Sequence, residues 1–302
     1  MNPESRRSLI ALSLVCAVVV SLCLVLLLPA EEPVSAEDLH CRLDSLGEDP
    51  AGPADMRERA RQLGALFYGD SDECREFAAE LTELHLACCD VDFLLVYNTG
   101  GFGGGTMADD PEWPGVLEGI REELAALGYS SLVVEHRRGS GGLMGFLDEL
   151  DELGCDYCDK APVLAAKLAF LTRYNPSLRV ITTGRCFGAM ISNEVMELEA
   201  GNPQVYSIQA GWPFWYTGSC GERTLLIEDN GLRPDILDSR GVLRFLWALG
   251  EANACCLPSS SPPEEGSFRA LNWYLKAPGH TYTWGHPGVQ SRVTAFLREQ
   301  FG

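Results

Sequence analysis

The chain has 302 residues, 46% of them hydrophobic and 9% aromatic, enough for an α/β domain of ordinary size plus an appendage, so wholesale disorder is excluded. Lys and Arg number 23 against 43 Asp and Glu, a formal net charge of -20. A surface this acidic is repelled by phosphate backbones and anionic headgroups, which argues against nucleic acid as a partner and reads as a solvated shell.

Residues 9–29 are almost wholly apolar, with Arg6 and Arg7 before them and Glu31 and Glu32 after. About 20 such residues span a bilayer as a helix. The flanking charges orient the N-terminus inward, so the run predicts a single-pass membrane anchor with the remaining chain on the extracytoplasmic side. The competing reading is a cleaved signal peptide, for which Val34-Ser35-Ala36 offers a small-residue site. Signal cores usually run about 7–15 residues, so the length favours the anchor. Residues 1–30 are thus assigned to the anchor, 31–90 to a linker and helical segment, and 91–302 to an α/β domain. Within the second part, residues 31–54 lack periodicity and read as linker, while Ala54–Leu66 and Ser71–Ala87 have apolar residues at helical spacing.

From Val91 strands alternate with helices. Strands are predicted at Phe93–Tyr97, Ser131–Glu135, Arg179–Thr183, Gln204–Ala210, Thr224–Glu228 and Arg269–Lys276. Helices are predicted at Pro114–Leu127, Lys160–Tyr174, Ala189–Leu198, Arg240–Leu249 and Val289–Phe301. This alternation implies a mostly parallel sheet with helices on both faces, in which ligands bind beyond the carboxyl ends of the strands.

The segment Gly184-Arg185-Cys186-Phe187-Gly188 lies between a strand and a helix. That is the setting of a G-x-S-x-G nucleophile elbow, here with cysteine at the centre. Glycines two before and two after the nucleophile remove the side chains that would clash in so sharp a turn. The helix N-terminus beside the sulfur favours the thiolate. The bland alternative is a small apolar residue in an ordinary turn. An oxyanion pocket needs one backbone N–H from the residue after the nucleophile, Phe187, and one from the loop after an earlier strand. The glycine loop from Gly100 to Gly105 supplies the second, with Phe102 favoured and Gly101 next. Phosphate binding by that loop is disfavoured because no Lys-Ser/Thr pair closes the motif.

Five histidines compete for the role of base. His40 and His85 fall in the linker and an N-terminal helix, His136 ends a strand as a pocket wall, and His286 reads as a cap before Pro287. His280 follows a strand and a turn just before the closing helix, where a histidine last in the order nucleophile, acid, histidine belongs. Tyr282 and Trp284 are candidate walls. The acid should lie after the Thr224–Glu228 strand; Asp235, in the loop, is preferred over the alternative acid Asp229 at the strand end.

From about Asp92 to Phe301 the chain resembles the α/β-hydrolase superfamily. The resemblance rests on Asn98-Thr99-Gly100-Gly101-Phe102-Gly103, the elbow Gly184–Ala189, and Pro278-Gly279-His280-Thr281-Tyr282. Dienelactone hydrolases are a branch of it with cysteine in the elbow. The first two strands of the fold look replaced by helices, and the Ala210–Thr224 connection is too short for a large lid. The resemblance implies a membrane-anchored esterase-type hydrolase. It would cleave a small-molecule carboxylic ester, lactone or thioester with Cys186, His280 and Asp235, and it needs no cofactor or metal. The alternative is a catalytically silent hydrolase-fold domain that binds a partner. Of twelve cysteines, Cys16 and Cys23 lie in the apolar run. Disulfides between loops are the favoured reading of the others, with a zinc site or redox pair at Cys155-x-x-Cys158 as lesser ones.

Overall fold

Phe93–Asn98 carries no charged side chain and is buried at every position, as expected of a strand covered on both faces. The computed structural model describes residues 35–47, 52–101, 105–139, 142–232, 235 and 279–302. The buried strand is β1, and it is followed by β2 (Ser131–His136), β3 (Arg179–Arg185), β4 (Val205–Ala210) and β5 (Thr224–Ile227). These pair in parallel in the order β2-β1-β3-β4-β5.

Side chains alternate across the sheet and feed two cores. Phe93, Leu95 and Tyr97 of β1 pack with Ile181 and Ile208 beneath two helices. These are α4 (Trp113–Ala126) and α8 (Pro287–Phe301). Leu94, Val96 and Val180 point the other way, under helices α6 (Lys160–Tyr174) and α7 (Phe187–Leu198). That second core also takes in Leu39, Leu63 and Leu81 from three N-terminal helices. They are α1 (Ala36–Asp44), α2 (Pro53–Tyr68) and α3 (Asp72–Ala87). The helical segment therefore packs on the main domain. Each fully buried leucine or isoleucine contributes about 1.5–3 kcal/mol of burial free energy relative to an exposed one.

Two helices differ from the sequence expectations. The predicted linker 31–54 contains α1, whose Ser35 side chain accepts from the Asp38 N–H at 3.1 Å and whose Leu39 and Leu43 are buried. Two apolar positions are too few to stand out as a period. Helix α5 (Gly142–Gly154) fills a stretch with no predicted element, since glycines at a helix start weaken its signal. Loop-to-loop disulfides were the expectation, but the disulfide among the described residues closes Cys155 onto Cys158, between α5 and α6. Cys41, Cys74, Cys88, Cys89, Cys186 and Cys220 are free thiols. Among the described residues no group of three His, Cys, Asp or Glu is placed to hold a metal ion.

The predicted anchor, the helix Arg240–Leu249 and the strand Arg269–Lys276 lie outside the described residues. Among the described residues no helix is long and apolar enough to cross a membrane.

Candidate active site

β3 passes into α7 through Cys186 alone, at φ 53° and ψ -120°. A non-glycine residue in that region costs on the order of 1–3 kcal/mol, and it persists only where its surroundings hold it. Here they do. The Cys186 N–H donates to the Ala210 carbonyl at 3.0 Å, and its own carbonyl accepts from Ala189 and Met190 at 3.0 and 3.1 Å. Gly184 and Gly188 lie against the end of β1. A Cβ at Gly184 would stand 2.7 Å from the Asn98 carbonyl oxygen, and one at Gly188 2.2 Å from it. Asn98 is itself pinned, its Nδ2 donating to Thr182 Oγ1 and Ser192 Oγ at 2.9 Å each. The two elbow glycines are thus fixed by backbone crowding.

His280, Asp235 and Cys186 come together beyond the ends of β3, β4 and β5. His280 Nδ1 lies 2.7 Å from Asp235 Oδ2. A carboxylate only accepts, so Nδ1 carries the hydrogen and Nε2 is the nitrogen left for Cys186, whose thiol interacts with the ring. Burial alone would lower the His280 pKa. The bonds to Asp235 and Cys186 outweigh it and raise the pKa from 6.5 to about 9. Tyr282, a predicted wall, donates its hydroxyl to the same Asp235 oxygen at 2.7 Å. Asp235 is 4% exposed. The alternative acid Asp229 is elsewhere: it accepts from Arg292 at 2.8 Å and from the Gly231 N–H at 2.8 Å, with 38% of its side chain exposed. It is a turn carboxylate.

Several positioning residues escaped the sequence reading. Gly211 follows β4 at φ +59°, and a Cβ there would stand 2.9 Å from His280 Cε1 and 3.0 Å from Asp235 Oδ2. Its signal was a glycine directly after a predicted strand. Asn230 donates to the Thr281 carbonyl at 3.0 Å and so ties the histidine loop to the end of β5. Glu112 accepts from the Tyr282 N–H at 3.0 Å and pairs with Arg185 at 3.4 Å. Arg185 also reaches Asp110 at 3.3 Å, which accepts from the Tyr97 hydroxyl at 2.7 Å. The elbow arginine therefore braces the nucleophile turn against the histidine loop. Contacts between residues so far apart in sequence leave no local pattern.

Of the predicted oxyanion donors, Phe187 opens α7, so its N–H belongs to the helix's first turn. Gly101 sits in the loop after β1 at φ +60°. Phe102 lies outside the described residues. The Ala210–Thr224 connection brings an aromatic lip to the elbow, with Trp215 and Phe187 ring centroids 5.9 Å apart. His286 occupies the N-cap position of α8, and His40 Nδ1 lies 2.8 Å from the Ala36 carbonyl. His136 lines a cavity of about 910 Å³ between α3, α6 and β2. Cys186 does not line that cavity.

Comparison of the chain with protein-family models, curated proteins and solved structures finds no match to any of them.

Proposed function

We propose that this chain is an α/β-hydrolase-like enzyme, anchored to a membrane by its N-terminal apolar run, that cleaves a carboxylic ester, lactone or thioester. The reading rests on one observation: a cysteine in a left-handed strand-to-helix turn interacts with a largely buried histidine whose Nδ1 is 2.7 Å from a buried carboxylate.

His280 Nε2 takes the thiol proton, and the Cys186 sulfur attacks the carbonyl carbon. The oxyanion is held by the Phe187 N–H and a second N–H from the loop after β1. His280, an imidazolium at this stage, gives its proton to the departing alcohol or thiol. Water, deprotonated by the same ring, then attacks the acyl-thioester, releasing the acid and returning the proton to Cys186. Asp235 keeps the Nδ1–H tautomer and stabilises the imidazolium while staying ionised. A ring that titrates near 9 favours this charged state. The aromatic lip at the elbow suits an apolar acyl group.

The test is turnover of short-chain esters by the wild type, Cys186→Ser and Cys186→Ala. Loss in the alanine variant with partial retention in the serine one supports the reading. Equal activity in all three would remove Cys186 as the nucleophile, and no turnover in the wild type would return the chain to a silent binding domain.

A further inference from the structure

Arg138 follows the end of β2 and runs under the loop after β1, with its side chain wholly buried. It donates to the carbonyls of Thr99 and Gly101, the latter at 2.8 Å. It also pairs with the wholly buried Glu149 and donates to the Tyr157 hydroxyl. Tyr157 in turn donates to Glu149 Oε1 at 2.6 Å, and Lys160 Nζ approaches the other Glu149 oxygen at 3.2 Å. The Thr99 and Gly101 carbonyls flank the Gly100–Gly101 peptide. With both neighbouring peptides held, turning the peptide between them needs compensating rotations at Gly100 and Gly101, so the network restrains the Gly101 N–H, one of the candidate oxyanion donors.

Tyr157 is held in turn. It is fully buried, and it lies inside the ring closed by the Cys155–Cys158 disulfide. Asp156 and Tyr157 are both in the left-handed region, at φ 51° and 63°. Apart from Cys186 they are the positive-φ non-glycine residues among those described. Two adjacent L-residues adopt that conformation only under constraint.

We propose that Arg138, Glu149 and Tyr157 are positioning residues for the oxyanion loop, and that the Cys155–Cys158 disulfide is the constraint that keeps Tyr157 among them. The site would then answer to a dithiol reductant. Two electrons and two protons from the dithiol convert the disulfide to the Cys155 and Cys158 thiols, and the dithiol leaves as its own disulfide. Released from the ring, Asp156 and Tyr157 relax to negative φ, and the hydroxyl leaves Arg138. The catalytic consequence rests on the Cys186 chemistry proposed above; the structural one does not.

The experiment uses the full chain, oxidised and then treated anaerobically with dithiothreitol. It reads kcat and KM on a short-chain ester together with amide hydrogen exchange over Thr99–Gly101. Reduction should lower kcat about tenfold with KM changed less than about twofold, because a misplaced donor acts on the transition state. Exchange should quicken in step. Oxidised Tyr157→Phe, which keeps the ring, should behave like the reduced wild type. The Cys155→Ser/Cys158→Ser double variant should be low from the start and blind to the reductant. Unchanged kcat and unchanged exchange after reduction, in a protein that turns over ester, would overturn the proposal. If the oxidised wild type shows no turnover, the Cys186 reading fails instead, and the exchange measurement alone decides the positioning role.

Discussion

Replacing Asp235 with asparagine removes the charge that holds His280 while leaving the volume nearly unchanged. Two donors, His280 Nδ1 and the Tyr282 hydroxyl, converge on one buried oxygen at 2.7 Å each. A hydrogen bond to a charged group is worth about 1.5–3 kcal/mol, so weakening the histidine bond alone costs one to two decades of rate at about 1.4 kcal/mol each. An asparagine can also present its amide to Nδ1 and select the wrong tautomer, a substitution that costs serine-type triads about 10⁴-fold. We expect kcat to fall at least about 100-fold with KM little changed. The stability signature is independent of turnover. The His280 pKa is raised in the folded state, from 6.5 to about 9. Its contribution is therefore fully present below about pH 6.5 and is lost as pH rises through about 9. Such a shift corresponds to about 3 kcal/mol, shared between Asp235 and Cys186, so the variant should lose on the order of 2 kcal/mol at pH 6 from this source. By pH 10 that part of the deficit should vanish. Denaturant unfolding of both proteins at the two pH values measures the gap. A deficit equal at pH 6 and pH 10 would refute the charge coupling between His280 and Asp235.

Two other substitutions separate site from scaffold. Gly211→Ala places a methyl 2.9 Å from His280 Cε1 at a backbone φ of +59°. It should cost about 1–3 kcal/mol of stability and at least tenfold in kcat, read by thermal unfolding and ester kinetics. Asp229→Asn loses only a half-exposed pair with Arg292. Turnover should stay within about twofold and stability within about 1 kcal/mol, so the same kinetics distinguish it from Asp235→Asn.

The parts of the fold legible in the sequence are those set by local chemistry. Phe93–Tyr97 reads as a buried strand because apolar side chains face both layers. The elbow is visible because its crowding demands glycine at two fixed offsets. Asp235 could be placed by its position after the β5 strand, since in a parallel sheet such ends share one edge, whereas the strand predicted before His280 lies outside the described residues. What stayed hidden acts through tertiary contact. Arg138 carries no local mark of holding the Thr99 and Gly101 carbonyls, and Glu112 none of meeting Tyr282. Tyr282 reads in the sequence as a wall of the site, and its bond to Asp235 stayed hidden because the partner is 47 positions away. Helix α1 was missed since two buried leucines in nine residues make too short a period to read.

Trapping the acyl-enzyme tests the central claim most directly. The full chain is mixed with a short-chain ester, quenched in acid within the first turnovers, and mapped by peptide mass spectrometry. The account expects the acyl group on the peptide carrying Cys186, as a thioester released by hydroxylamine and absent from Cys186→Ala. Steady turnover with no acyl group on Cys186, or turnover that survives in Cys186→Ala, would contradict it.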